Sequence, residues 1–151
     1  MTQFEADFDL ENDATEEPLV PDGNYRGAIT KVAFYEEAQN LKFYITLSDN
    51  GGECTDGQTP IDGAVIPYNV WFPRAGDKDE MTASGRQSKW QWKVNNIKKV
   101  AEALGINMQN TEAISQGIAD SEWVGIEVNV KVGTNEYNNQ ISNQAESVEA
   151  V

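Results

Sequence analysis

Leu41-Lys42-Phe43-Tyr44-Ile45-Thr46-Leu47-Ser48 alternates without a slip. Leu41, Phe43, Ile45 and Leu47 point one way, and Lys42, Tyr44, Thr46 and Ser48 point the other. A period of two with one apolar and one polar face describes a half-buried antiparallel strand. Tyr44 on the wet face reads either as an ordinary β-former or as a platform for a stacked ligand.

Upstream, Glu36–Asn40 is a polar hairpin loop, and Tyr25–Tyr35 is a first strand whose period slips. Tyr25 and Ile29 share one parity and Val32 and Phe34 the other, so a bulge or bend is expected between Gly27 and Lys31. Pro21-Asp22-Gly23-Asn24 launches that strand with turn chemistry. Downstream, Asp49–Gly63 holds four glycines and a proline and reads as a long mobile loop. A third strand follows from Ala64 to Phe72, where Pro67 and Pro73 lack ladder donors and imply an edge or bulged strand. Tyr68, Val70 and Phe72 face the core, leaving Trp71 outward.

Arg74–Ser88 is a second loop, and Ser88 caps a helix that Gly105 ends. Trp90, Val94, Ile97, Ala101 and Leu104 form its expected buried stripe, and Trp92 has no place on that stripe. A short polar helix or turn around Asn110–Gly117 precedes a fourth strand with Val124, Ile126, Val128, Val130 and Val132 inward. Gly133–Glu136 reads as a hairpin loop, Tyr137–Ser142 as a fifth strand, and residues 144–151 as a short acidic tail.

The order strand, strand, strand, helix, strand, strand matches a mainly β, five-stranded antiparallel OB-fold barrel with one helix between strands 3 and 4. Residues 23–143 would form that domain. Residues 1–22 carry eight acidic and no basic side chains, a composition expected to stay mostly disordered. This arm is either a solubilising segment or a docking motif in which Phe4, Phe8 and Leu10 meet a protein partner or the arm's own domain.

Composition narrows the chemistry. The 151 residues hold no histidine and one cysteine, Cys54, which leaves no disulfide framework, no thiolate–imidazole zinc site and no His-activated nucleophile. The chain has no phosphate-cradling or dinucleotide glycine motif. The reading is a non-enzyme with no cofactor or metal. No apolar run approaches a membrane span and the N-terminus does not look like a secretory signal, so a cytoplasmic protein is expected. The net charge is −14, yet seven of the eleven Lys and Arg residues fall between Arg74 and Lys99. Basic groups beside Trp71 and Trp92 suit an anionic ligand with planar groups, namely single-stranded DNA. The expected contacts are Arg26, Lys42, Tyr44, Trp71, Arg74, Arg86, Lys89, Trp92, Lys93 and Lys131.

Several short segments carry a resemblance. They are the acidic opening at Phe8-Asp9, Pro21-Asp22-Gly23-Asn24-Tyr25, Ala101-Glu102-Ala103-Leu104-Gly105, Trp123-Val124-Gly125 leading into Val128 and Val130, and Glu136-Tyr137-Asn138-Asn139-Gln140-Ile141. In these the chain resembles small phage-encoded OB-fold proteins that sit beside replication and recombination genes and are associated with single-stranded DNA. The resemblance implies a DNA-binding viral protein acting in the host cytoplasm. It assigns no binding residue, so the contacts above rest on the barrel argument. Two other readings stay open: an acidic DNA mimic that inhibits a nuclease, and a phage structural or adaptor protein that uses the barrel for protein contacts. The sequence leaves a homodimer open as well.

Overall fold

The computed structural model describes residues 2–151. Five antiparallel strands form one sheet in the order β3-β2-β1-β4-β5. They are β1 (Gly23–Tyr35), β2 (Asn40–Leu47), β3 (Val65–Trp71), β4 (Glu127–Tyr137) and β5 (Gln140–Ala150). Helices are few: a single turn α1 (Leu10–Asp13), α2 (Lys89–Leu104) and α3 (Thr111–Ala119), with a 3-10 turn at Ala75–Asp79. Among the described residues no helix is long and apolar enough to cross a membrane.

The long strand β1 organises the sheet because it pairs with β2 on one side and β4 on the other. Its register shifts between Ile29 and Lys31, at the expected bulge, so Ile29 faces the core from one parity while Val32 and Phe34 pack inward from the other. Gly27 makes the bend sterically accessible. A Cβ there would lie 2.7 Å from the carbonyl oxygen of Thr46 and 2.9 Å from Ile45 Cγ2. The inward residues of β2 are fully buried, as their alternation requires. β3 lies at one edge of the sheet, in keeping with Pro67 within it and Pro73 just beyond its end. β3 also packs near β5 at the opposite edge, although no strand ladder joins them.

Two helices rather than one separate β3 from β4. Asn110 caps α3 by accepting from the Ala113 N–H at 2.8 Å, and α3 buries Ile114 and Gly117. Gly117 seats Trp123, a core residue whose ring centroid lies 5.9 Å from that of Phe43. The stripe of α2 is rotated from the expected one. Val100 and Leu104 are its buried residues, whereas Trp90, Val94, Ile97 and Ala101 are only partly covered.

The C-terminal boundary is corrected. Residues 144–150 are the second half of β5, not a tail, and Ala145 and Val148 lie in the core. Gly133–Glu136 is strand, and the reversal occurs at Asn138-Asn139, whose φ values of 50° and 63° suit a two-residue hairpin turn. A register shift at Lys131/Val132 leaves Glu146 without a partner on β4. That bulge breaks the alternation and makes the segment read as polar.

The N-terminal boundary shifts as well. Val20 is buried, its N–H donates to Asn143 Oδ1 at 2.8 Å, and its carbonyl accepts from Asn143 Nδ2 at 2.9 Å. The domain therefore begins near Leu19. The segment 49–63, expected to be mobile, is tied down by Asp62, which accepts from Asn50 and Gly51, and by buried Cys54 and Ile61.

Candidate nucleic-acid interface

Past its bulge, β1 presents Lys31, Ala33 and Tyr35 on the side opposite the core residues Val32 and Phe34. Across the ladder these meet Tyr44, Lys42 and Asn40 of β2, which pair in turn with Pro67, Asn69 and Trp71 of β3. One outer face of three strands thus carries three aromatic rings and two lysines in alternating rows.

The side chains on this face are braced against each other. The Tyr35 and Tyr44 hydroxyls share a hydrogen bond of 2.6 Å, and that bond, with some desolvation, raises the Tyr44 pKa. Lys31 Nζ lies 5.2 Å from the Tyr44 ring centroid, and Lys42 Nζ lies 5.5 Å from that of Tyr35. Such contacts hold the cations beside the rings without neutralising them. Neither lysine joins an ion pair among the described residues. Trp71 is 48% exposed at the end of the face, and buried Asn40 pairs with it across the ladder, its Nδ2 without an acceptor among the described residues. Thr30 and Thr46 hydroxyls, 2.8 Å apart, form the opposite end.

Of the ten sequence-derived contacts, Lys42, Tyr44 and Trp71 share this face. Arg74 borders it at the end of β3, where its Nη2 donates to the Glu37 carbonyl at 2.6 Å and braces the β1–β2 hairpin. Arg26 and Lys131 lie apart, on the β1–β4 portion of the sheet. Arg26 sits among Asn24, Asn50 and Asn129, and Lys131 Nζ is 3.5 Å from Glu146.

Arg86, Lys89, Trp92 and Lys93 form a separate group on α2 and the loop before it. Trp92 is 50% exposed, as its position off the buried stripe requires. Two of the cations are engaged with acids. Lys89 Nζ lies 2.9 Å from Glu80, which raises its pKa. Lys93 Nζ lies 2.8 Å from buried Asp77 Oδ2, which also accepts the Arg74 N–H at 2.8 Å. The Arg74 N–H, then Lys93, holds the Asp77 carboxyl below its ordinary range. Lys93 therefore anchors α2 to the 3-10 turn and is not a free cation.

Sequence reasoning missed Lys31 and Tyr35. The signal was present, because the same parity slip that turns Val32 and Phe34 inward turns Lys31 and Tyr35 outward. The chain matches no protein-family model and no curated protein sequence.

Proposed function

We propose that this protein binds single-stranded DNA on the outer face of β1–β3 of an OB-type barrel, without catalysis. The observation that carries the reading is the alternation of Lys31, Lys42, Tyr35, Tyr44 and Trp71 on one exposed three-strand face. Bases stack on aromatic rings at roughly 1–3 kcal/mol per base, and adjacent cations follow the phosphates. The two tyrosines are joined through their hydroxyls and act as one platform, and Trp71 supplies a second. Support for the barrel comes from the strand order, the bulged β1 serving both halves of the sheet, and the nearness of β3 to β5.

The charge distribution is compatible with this reading. Eight of the twenty-five acids lie in residues 1–22, and repulsion from exposed charge fades over about 8–10 Å at physiological salt. The resemblance to phage replication and recombination proteins agrees with the same role.

Fluorescence anisotropy of a labelled oligo(dT) tests it. Expected is saturable binding at micromolar protein and low salt, weaker binding of duplex, and loss of affinity as salt rises. An unchanged anisotropy under those conditions overturns the reading. Absence of DNA binding together with inhibition of a nuclease would favour the DNA-mimic alternative.

A further inference from the structure

A second feature lies outside the proposed DNA face. Helix α2, the segment that follows it and the end of β3 enclose an open groove of about 770 Å³. Phe72, Val94, Ile97, Ala101, Met108 and Ile114 give it an apolar lining. Trp90 stands in the same groove with Lys78 Nζ 5.0 Å from its ring centroid, and Lys98 forms part of the wall.

The N-terminal arm is its chemical complement. Phe4, Phe8 and Leu10 are 75%, 72% and 73% exposed, three large apolar side chains given to solvent within one short acidic segment. Acids surround them, with eight acids and no base in residues 1–22, whereas the charged groups at the groove are Lys98 and Glu102 in its wall and Lys78 over Trp90. The arm leaves the domain at Leu19, which is held by Thr55, and neither residue lines the groove. In one chain the arm's apolar side chains face solvent while the groove stands open. Each copy thus presents both halves of a contact and satisfies neither.

We propose that the arm of one copy, through Phe4, Phe8 and Leu10, docks in the α2 groove of a second copy. Two copies can exchange arms in a closed pair, or successive copies can link arm to groove into chains or larger rings. The contact does not rest on the DNA reading, and it forms without nucleic acid.

Sedimentation of the full chain, free of DNA, across a range of micromolar concentrations tests it. The weight-average mass of the native protein rises to that of a dimer or beyond and falls back at high salt. A Phe4→Ala/Phe8→Ala/Leu10→Ala variant and a Val94→Arg variant each stay monomeric. Mixed in equal amounts they form a heterodimer and nothing larger, because one intact arm and one intact groove remain. Circular dichroism checks that Val94→Arg is folded, and Lys98→Glu at the groove wall replaces it if it is not. Three outcomes overturn the proposal: a native chain that stays monomeric throughout, association that survives both variants, or a mixture that yields no heterodimer. An arm that alters tryptophan emission in a strictly monomeric chain points to docking within one copy and overturns it too.

Discussion

At the scale of single residues, two positions without a binding role carry clear consequences. A Cβ on Gly117 would lie 2.5 Å from Trp123 Cζ2 and 2.8 Å from Cε2, and a buried indole has little room to give. Overpacking of this kind costs about 1–3 kcal/mol, set against a helix-propensity gain of up to about 1 kcal/mol for alanine. Gly117→Ala is expected to lower the urea midpoint. Asp77 offers a pH test. Its carboxyl titrates below the unfolded value of about 3.9, so its stabilisation is complete above that pH and is lost as pH falls through the lower folded value. Asp77→Asn should be clearly less stable than the native chain at pH 7, with the gap closing on acidification below about pH 4. Equal gaps at both pH values would show that the carboxylate is not what holds Lys93 and the Arg74 N–H. Neither role was legible beforehand. Asp77 lies in the expected loop Arg74–Ser88, where the sequence assigned it no role, and only packing revealed its partners.

At the scale of elements, β5 separates what pattern reveals from what pairing decides. Its second half reads as a polar tail because the bulge opposite Lys131/Val132 interrupts the alternation. Deleting residues 144–151 should abolish the cooperative thermal transition, since it strips β4 of its outer partner and removes Ala145 and Val148 from the core. A dispensable tail would leave the transition unchanged. On β3 the parity reading placed Trp71 outward, and it is. Trp71→Ala is expected to weaken oligo(dT) binding by roughly 1–3 kcal/mol, about 5- to 150-fold in Kd, with stability little changed. A much smaller effect would move the site away from this face. The helix α2 was legible in its limits, from the Ser88 cap to Gly105, but not in its rotation. Its apolar stripe is wide enough to face the sheet or the groove; the helix packs against β3 and β5, and Val100 and Leu104 are its buried residues.

At the scale of the whole molecule, charge segregation governs behaviour toward phosphates. If Lys31 and Lys42 each neutralise one phosphate, replacing either by alanine should reduce the slope of log K against log salt by about 0.7. Lys93→Ala should leave that slope unchanged while lowering stability, because its charge is already spent on Asp77. Deleting residues 2–17 removes seven carboxylates and should tighten binding to an oligonucleotide long enough for a single copy. Unchanged or weaker binding there would deny the arm any competition with DNA. On long strands the same deletion should abolish cooperative binding if copies are linked through their arms.

Local pattern was enough to determine the mainly β class, three of the five strands (β1, β2 and β3) nearly to their ends, the bulge in β1, both caps of α2, and the division into an acidic arm and a less acidic domain. Each follows from spacing of apolar residues, turn chemistry or simple charge counting, which neighbouring residues suffice to specify. Tertiary structure alone decided the rest: the extents of β4 and β5, the buried anchor at Val20, the rotation of α2, and which cations are free. Those depend on partners far apart in the chain, such as Asn143 for Val20 and Asp77 for Lys93. Lys31 and Tyr35 fall between the two cases, outward by parity but joined to Lys42 and Tyr44 only when β1 and β2 pair.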